Sequence, residues 1–98
     1  MTTDWSAAAA RLLKAEVARE DITLAKLAKR LQRLGVDETE ASVKNKLYRG
    51  TFSFAFFLQC MQALGRTRID LLGLVPEEMP RGKALDVPTE AEPGRAAR

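Results

Sequence analysis

Residues 23–72 read TLAKLAKRLQRLGVDETEASVKNKLYRGTFSFAFFLQCMQALGRTRIDLL, and their punctuation decides the fold. Gly35, Gly50 and Gly65 fall fifteen residues apart, each directly after an apolar pattern of helical period. A helix often closes on a left-handed residue, which glycine adopts without steric cost. The spacing therefore predicts three short helices in succession, each ended by a glycine. Thr23, Thr39 and Ser53 stand before these patterns, and their hydroxyls suit the free N–H groups of a first helical turn.

Working outward, Leu24, Leu27, Ala28, Leu31 and Leu34 form the inner stripe of the first of the three. Val43 and Leu47 point inward in the second. Phe56, Phe57, Cys60, Met61 and Leu64 fill the inner side of the third. Phe52 is placed to meet Phe57 as a hydrophobic staple. A preceding helix is expected from about Asp4 to Arg19, with Trp5, Ala9, Leu12 and Glu16 on one face, Leu13 beside them and Trp5 as a core anchor. Thr67 is expected to cap a last short helix that takes in Ile69, Leu71 and Leu72. All four prolines follow Val75, so residues 1–75 are expected to form one helical domain and residues 76–98 a flexible tail.

Composition narrows the function classes. The chain has 98 residues, of which 46% are hydrophobic and 30% charged, ordinary values for one small globular domain. No apolar run reaches the ~20 residues of a membrane span, and no signal peptide is expected, so the expected location is the cytoplasm and no membrane partner is expected. One cysteine, Cys60, permits no internal disulfide. The chain lacks histidine, the usual general base and commonest metal ligand. With Cys60 among phenylalanines and Glu77-Glu78 isolated near the tail, no enzyme, metal, cofactor or small-molecule substrate is expected. The net charge of +3 is uneven: residues 21–75 carry nine basic against five acidic side chains, which favours a polyanionic partner.

The helix from Thr39 to Arg49 holds the residues of most chemical interest. With Val43 and Leu47 inward, a 100° wheel turns Ala41, Ser42, Asn45, Tyr48 and Arg49 outward, with Lys44 and Lys46 on the flanks. Asparagine can pair with adenine through two hydrogen bonds, arginine or lysine with guanine or a phosphate, and alanine and serine let a helix approach base edges. Ser42, Lys44, Asn45, Tyr48 and Arg49 are thus candidate base readers, and Lys46 a candidate phosphate contact. On residue types alone the face reads equally well as ordinary solvated surface.

The surrounding pattern resembles a phage-repressor type of helix-turn-helix domain. It is carried by Ile22-Thr23, Leu27-Ala28-Lys29-Arg30-Leu31, Arg49-Gly50, Ser53, Ala63-Leu64-Gly65, Thr67 and Asp70-Leu71-Leu72. The resemblance implies a compact all-α, lambda-repressor-like domain of four to five helices that reads double-stranded DNA, as a homodimer on paired half-sites. It also implies that Lys26, Lys29, Arg30 and Arg33, on the helix that crosses the DNA backbone, touch phosphates. The chain departs from that family in a longer connection between Leu31 and Val43 and in the i, i+4 spacing of Val43 and Leu47. A sharper likeness covers Thr39–Val43, Asn45–Leu47, Arg49–Ser53 and Ala55–Cys60. It is similar to a group of short bacterial proteins known only as a domain of unknown function, which implies a bacterial source and no activity. The expected function is a small transcriptional regulator that binds DNA sequence-specifically. The alternative is a protein–protein adaptor, favoured by the acidic Asp37-Glu38 turn and the apolar end at residues 71–75.

Overall fold

The described residues form four α-helices: α1 (Trp5–Glu20), α2 (Leu24–Arg33), α3 (Glu40–Arg49) and α4 (Phe54–Ala63). The computed structural model describes residues 4–71 and Leu74, and no strand occurs among them. Each helix starts as its sequence dictates. Asp4, Thr23, Thr39 and Ser53 sit in extended backbone at the N-caps, and their side chains accept from the backbone N–H three residues on, at 3.0–3.1 Å. A cap of this kind contributes about 1 kcal/mol.

The glycines close α2, α3 and α4 as expected, with φ of 84°, 70° and 72°. After α2 and α4 the two N–H groups beyond the last turn fold back on its carbonyls: Gly35 on Gln32 and Val36 on Leu31, then Gly65 on Gln62 and Arg66 on Met61. Gly50 carries a further constraint. It is buried, and a Cβ built there would lie 2.0 Å from the Ser6 carbonyl oxygen. The missing side chain is what lets the first turn of α1 rest on the corner between α3 and α4.

The core is one cluster drawn from all four helices. Leu13 and Val17 come from α1, Leu27, Ala28 and Leu31 from α2, Val43 and Leu47 from α3, and Phe56, Cys60 and Met61 from α4, with Leu64 just beyond. Burying one such leucine or phenylalanine contributes about 1.5–3 kcal/mol. α3 packs against both α1 and α2, and α2 packs against α4.

Several expectations are corrected. Trp5 is 54% exposed and Leu34 47% exposed, so neither anchors the core. The inner face of α1 is Ala8, Ala10, Leu13, Glu16 and Val17 rather than the stripe through Trp5, Ala9 and Leu12. Phe57 is half-buried at the edge of the core. The ring that meets Phe52 is Phe56, at 5.7 Å between centroids, while Phe57 stacks on Phe54. Residues 67–71 form no helix, so Thr67 caps nothing. The expected tail at 76–98 and its boundary lie outside the described residues, as do Leu72 and the Glu77-Glu78 pair.

An ionic network fixes the end of α1 to α2 and α4. Glu16 is 2% exposed, and its carboxylate accepts from Arg66 Nε at 3.0 Å. Glu20 accepts from Arg30 at 3.1 Å and from Arg66 at 3.2 Å. The hydrogen bond from Arg30 and the two guanidinium charges hold the Glu20 carboxyl below its ordinary range against the opposing effect of desolvation. Arg30 also donates to the Ala63 carbonyl at 3.2 Å, which satisfies one of the free acceptors at the end of α4.

Candidate nucleic-acid interface

Val43 and Leu47 are buried, so α3 presents a defined opposite face. Ala41, Asn45, Tyr48 and Arg49 lie exposed on it, with Lys44 exposed at one edge and Lys46 half-buried at the other. Tyr48 is the most open of these, at 81%. Among the described residues, Lys44 and Arg49 form no ion pair.

Ser42 takes a different place. Its hydroxyl accepts from the Thr39 N–H at 2.8 Å, completing a reciprocal cap, and donates to Glu38 Oε1 at 2.6 Å. Lys46 is engaged on the same flank. Its ammonium pairs with Glu38 Oε2 and lies 4.7 Å from the centroid of the Phe56 ring. Glu38 therefore turns inward from the acidic turn, at 6% exposed, while Asp37 and Glu40 stay in solvent. Burial pushes the Glu38 carboxyl upward, but hydrogen bonds from Lys46 and Ser42, with the Lys46 charge, outweigh it and leave the group below its ordinary value. The Gln32 side-chain amide donates to the Glu38 carbonyl at 2.7 Å, so α2 fixes the same turn that seats α3.

On α2, Lys26, Lys29 and Arg33 are exposed and without an ion pair among the described residues, whereas Arg30 is half-buried in the network with Glu20. The ten candidate residues thus divide. Asn45, Arg49, Tyr48, Lys44, Lys26, Lys29 and Arg33 are open to a ligand. Ser42, Lys46 and Arg30 have partners within the fold.

Two recesses flank the α3 face. One, of about 510 Å³, lies along Asn45, Lys46 and Arg49 and the turn from Thr51 to Ser53. The other, of about 270 Å³, has an apolar floor of Val17, Leu24 and Leu47 and a rim of Lys14, Lys44 and Tyr48. Lys14 reaches this rim from α1, its ammonium 5.8 Å from the centroid of the Tyr48 ring. Sequence reading missed Lys14, because no local pattern links positions 34 residues apart. It also missed the inward turn of Glu38, although Glu38, Ser42 and Lys46 share a four-residue spacing that puts them on one flank.

Cys60 is fully buried, and burial with the nearby Glu38 charge pushes its thiol up to about 12. No group of three or more His, Cys, Asp or Glu side chains that could hold a metal occurs among the described residues, and no helix there is long and apolar enough to cross a membrane.

A family model described as "Domain of unknown function (DUF6471)" matches residues 5–69, all four helices included. No curated protein matches the chain, and no solved structure matches it.

Proposed function

The chain belongs to that family, whose description names no activity, and we propose from its residues that it binds double-stranded DNA sequence-specifically as a small transcriptional regulator. α2 and α3 act as a helix-turn-helix, with α3 in the major groove. The observation that carries this reading is the face of α3. Asn45 and Arg49, one turn apart, are exposed beside the small Ala41, on a helix whose other side is locked by Val43 and Leu47. Asparagine and arginine are the side chains that recognise adenine and guanine by paired hydrogen bonds, and a small neighbour allows the approach. Lys26, Lys29 and Arg33 supply exposed positive charge on α2 for the phosphate backbone, which sets register and salt dependence. The inward pairing of Glu38 with Lys46 withdraws one carboxylate and one ammonium together, so the phosphate contacts of this reading fall to the exposed lysines and arginine of α2. Binding as a homodimer to paired half-sites follows the helix-turn-helix pattern.

Duplexes selected from a random pool, measured against random duplexes over a salt series, test this. Asn45→Ala and Arg49→Ala are expected to reduce specific binding by about 1–3 kcal/mol per lost base contact while sparing random DNA. Lys29→Ala is expected to weaken all duplexes alike and to make the salt slope shallower by roughly one unit. Absence of salt-sensitive binding by the folded protein at micromolar concentration refutes the DNA reading. The adaptor reading then takes its place, on a specific feature: α4 carries no charged residue and exposes Phe54 at 72% and Leu58 at 51%.

A further inference from the structure

We infer that Lys14 and Lys44, which line one recess with Tyr48, seat one backbone phosphate of the duplex that α3 reads; this rests on the DNA reading above. The recess they rim is the flank of α3 nearest α1. A helix in the major groove lies between two rows of phosphates, since the groove is only about 12 Å wide. Side chains on the flanks of such a helix therefore meet backbone rather than base edges. On the opposite flank Lys46 is already paired with Glu38. On this flank both ammonium groups lack an ion pair among the described residues, and no carboxylate lines the recess. The Tyr48 hydroxyl adds a donor on the same rim, and its ring, 81% exposed, lies 5.8 Å from Lys14 Nζ. That separation is near the outer limit of about 6 Å for a cation–π contact, so the ring positions the ammonium without neutralising it. Val17, Leu24 and Leu47 close the floor and offer no competing acceptor side chain. The contact assigns α1 a direct part in binding and places Lys44 on phosphate rather than on a base.

The test compares wild type with Lys14→Gln/Lys44→Gln, Lys14→Arg/Lys44→Arg and the exposed control Arg68→Gln, each on a selected and a random duplex from 50 to 200 mM salt. Loss of one phosphate contact makes the slope of log affinity against log salt shallower by about 0.9. The double glutamine variant is expected to lose about 3.5-fold less affinity than wild type across that range, equally on both duplexes. The double arginine variant keeps the wild-type slope, and so does Arg68→Gln. A wild-type slope in the double glutamine variant overturns the phosphate seat and leaves the DNA reading standing. An equal change in Arg68→Gln also overturns it, because the effect is then one of overall charge. A change confined to the selected duplex assigns the lysines to bases and overturns it as well. No salt-dependent binding by wild type removes the DNA reading itself. Thermal melts of all variants check that exposed substitutions leave the fold intact.

Discussion

Replacing Gly50 by alanine adds a single methyl group, and its cost can be worked from two separate features. At φ 70° an L-residue is strained by about 1–2 kcal/mol. The new Cβ would also stand 2.0 Å from the Ser6 carbonyl oxygen and 2.7 Å from its carbon. Those are backbone atoms of a capped helix, so relief requires α1 to shift away from the corner, and overpacking of this kind costs about 1–3 kcal/mol. Together Gly50→Ala should destabilise by about 2–5 kcal/mol. Gly35 supplies the internal control. Its φ is 84° but nothing lies within 4 Å of a Cβ placed there, so Gly35→Ala should cost only the strain of about 1–2 kcal/mol. Urea unfolding of the two variants beside wild type measures the difference directly. For a domain of this size, 1 kcal/mol corresponds to a shift in Tm of about 4–8 °C. Equal losses in the two variants would refute the claim that α1 rests on Gly50.

Glu38→Gln is expected to destabilise by about 1.5–3 kcal/mol, the range for a hydrogen bond involving a charged group, read by the same unfolding assay. Because the folded Glu38 carboxyl lies below its ordinary 4.5, its stabilisation is complete above that pH and is lost as pH falls through the folded value. Wild type should therefore lose stability more steeply than Glu38→Gln below about pH 4.5. Cys60, buried and with a thiol pushed up to about 12, should resist alkylation at pH 8 in the native protein and react fully once unfolded, as followed by mass spectrometry.

Local chemistry made much of the fold readable. Thr23, Thr39 and Ser53 announce helix starts because a hydroxyl before an apolar period satisfies free N–H groups, and all three act so. The inner positions of α2 and α3 follow from period alone, down to Leu27, Leu31, Val43 and Leu47. Trp5 and Leu34 escaped because periodicity says which face a residue occupies, not whether another element reaches that end of the helix. The candidate site divided for a related reason. Asn45 and Arg49 face solvent as the wheel places them, but Ser42, Lys46 and Arg30 lie on flanks where neighbouring segments supply partners. A wheel describes one helix, while the partners Glu38 and Glu20 are set by the turn between α2 and α3 and by the end of α1. The Lys14–Tyr48 approach is a product of tertiary packing and has no local signature.

The bond between Arg66 and Glu16 sets a limit on how far the chain can be shortened from its C-terminal side. Arg66 stands beyond α4, in a segment that by the described secondary structure alone could be trimmed. Its guanidinium nevertheless meets a carboxylate fifty residues earlier that is almost wholly shut away from water. A fragment ending at Gly65 would keep all four described helices but strip buried Glu16 of its nearest cation, leaving only the exposed Arg19 at 3.7 Å. Removing one partner of a buried pair costs about 3–5 kcal/mol when no other cation remains, and with Arg19 still beside Glu16 that range is the ceiling, set against the roughly 5–15 kcal/mol that holds a small domain together. The smallest autonomous folding unit thus extends past α4, and that margin is set by electrostatics rather than by secondary structure.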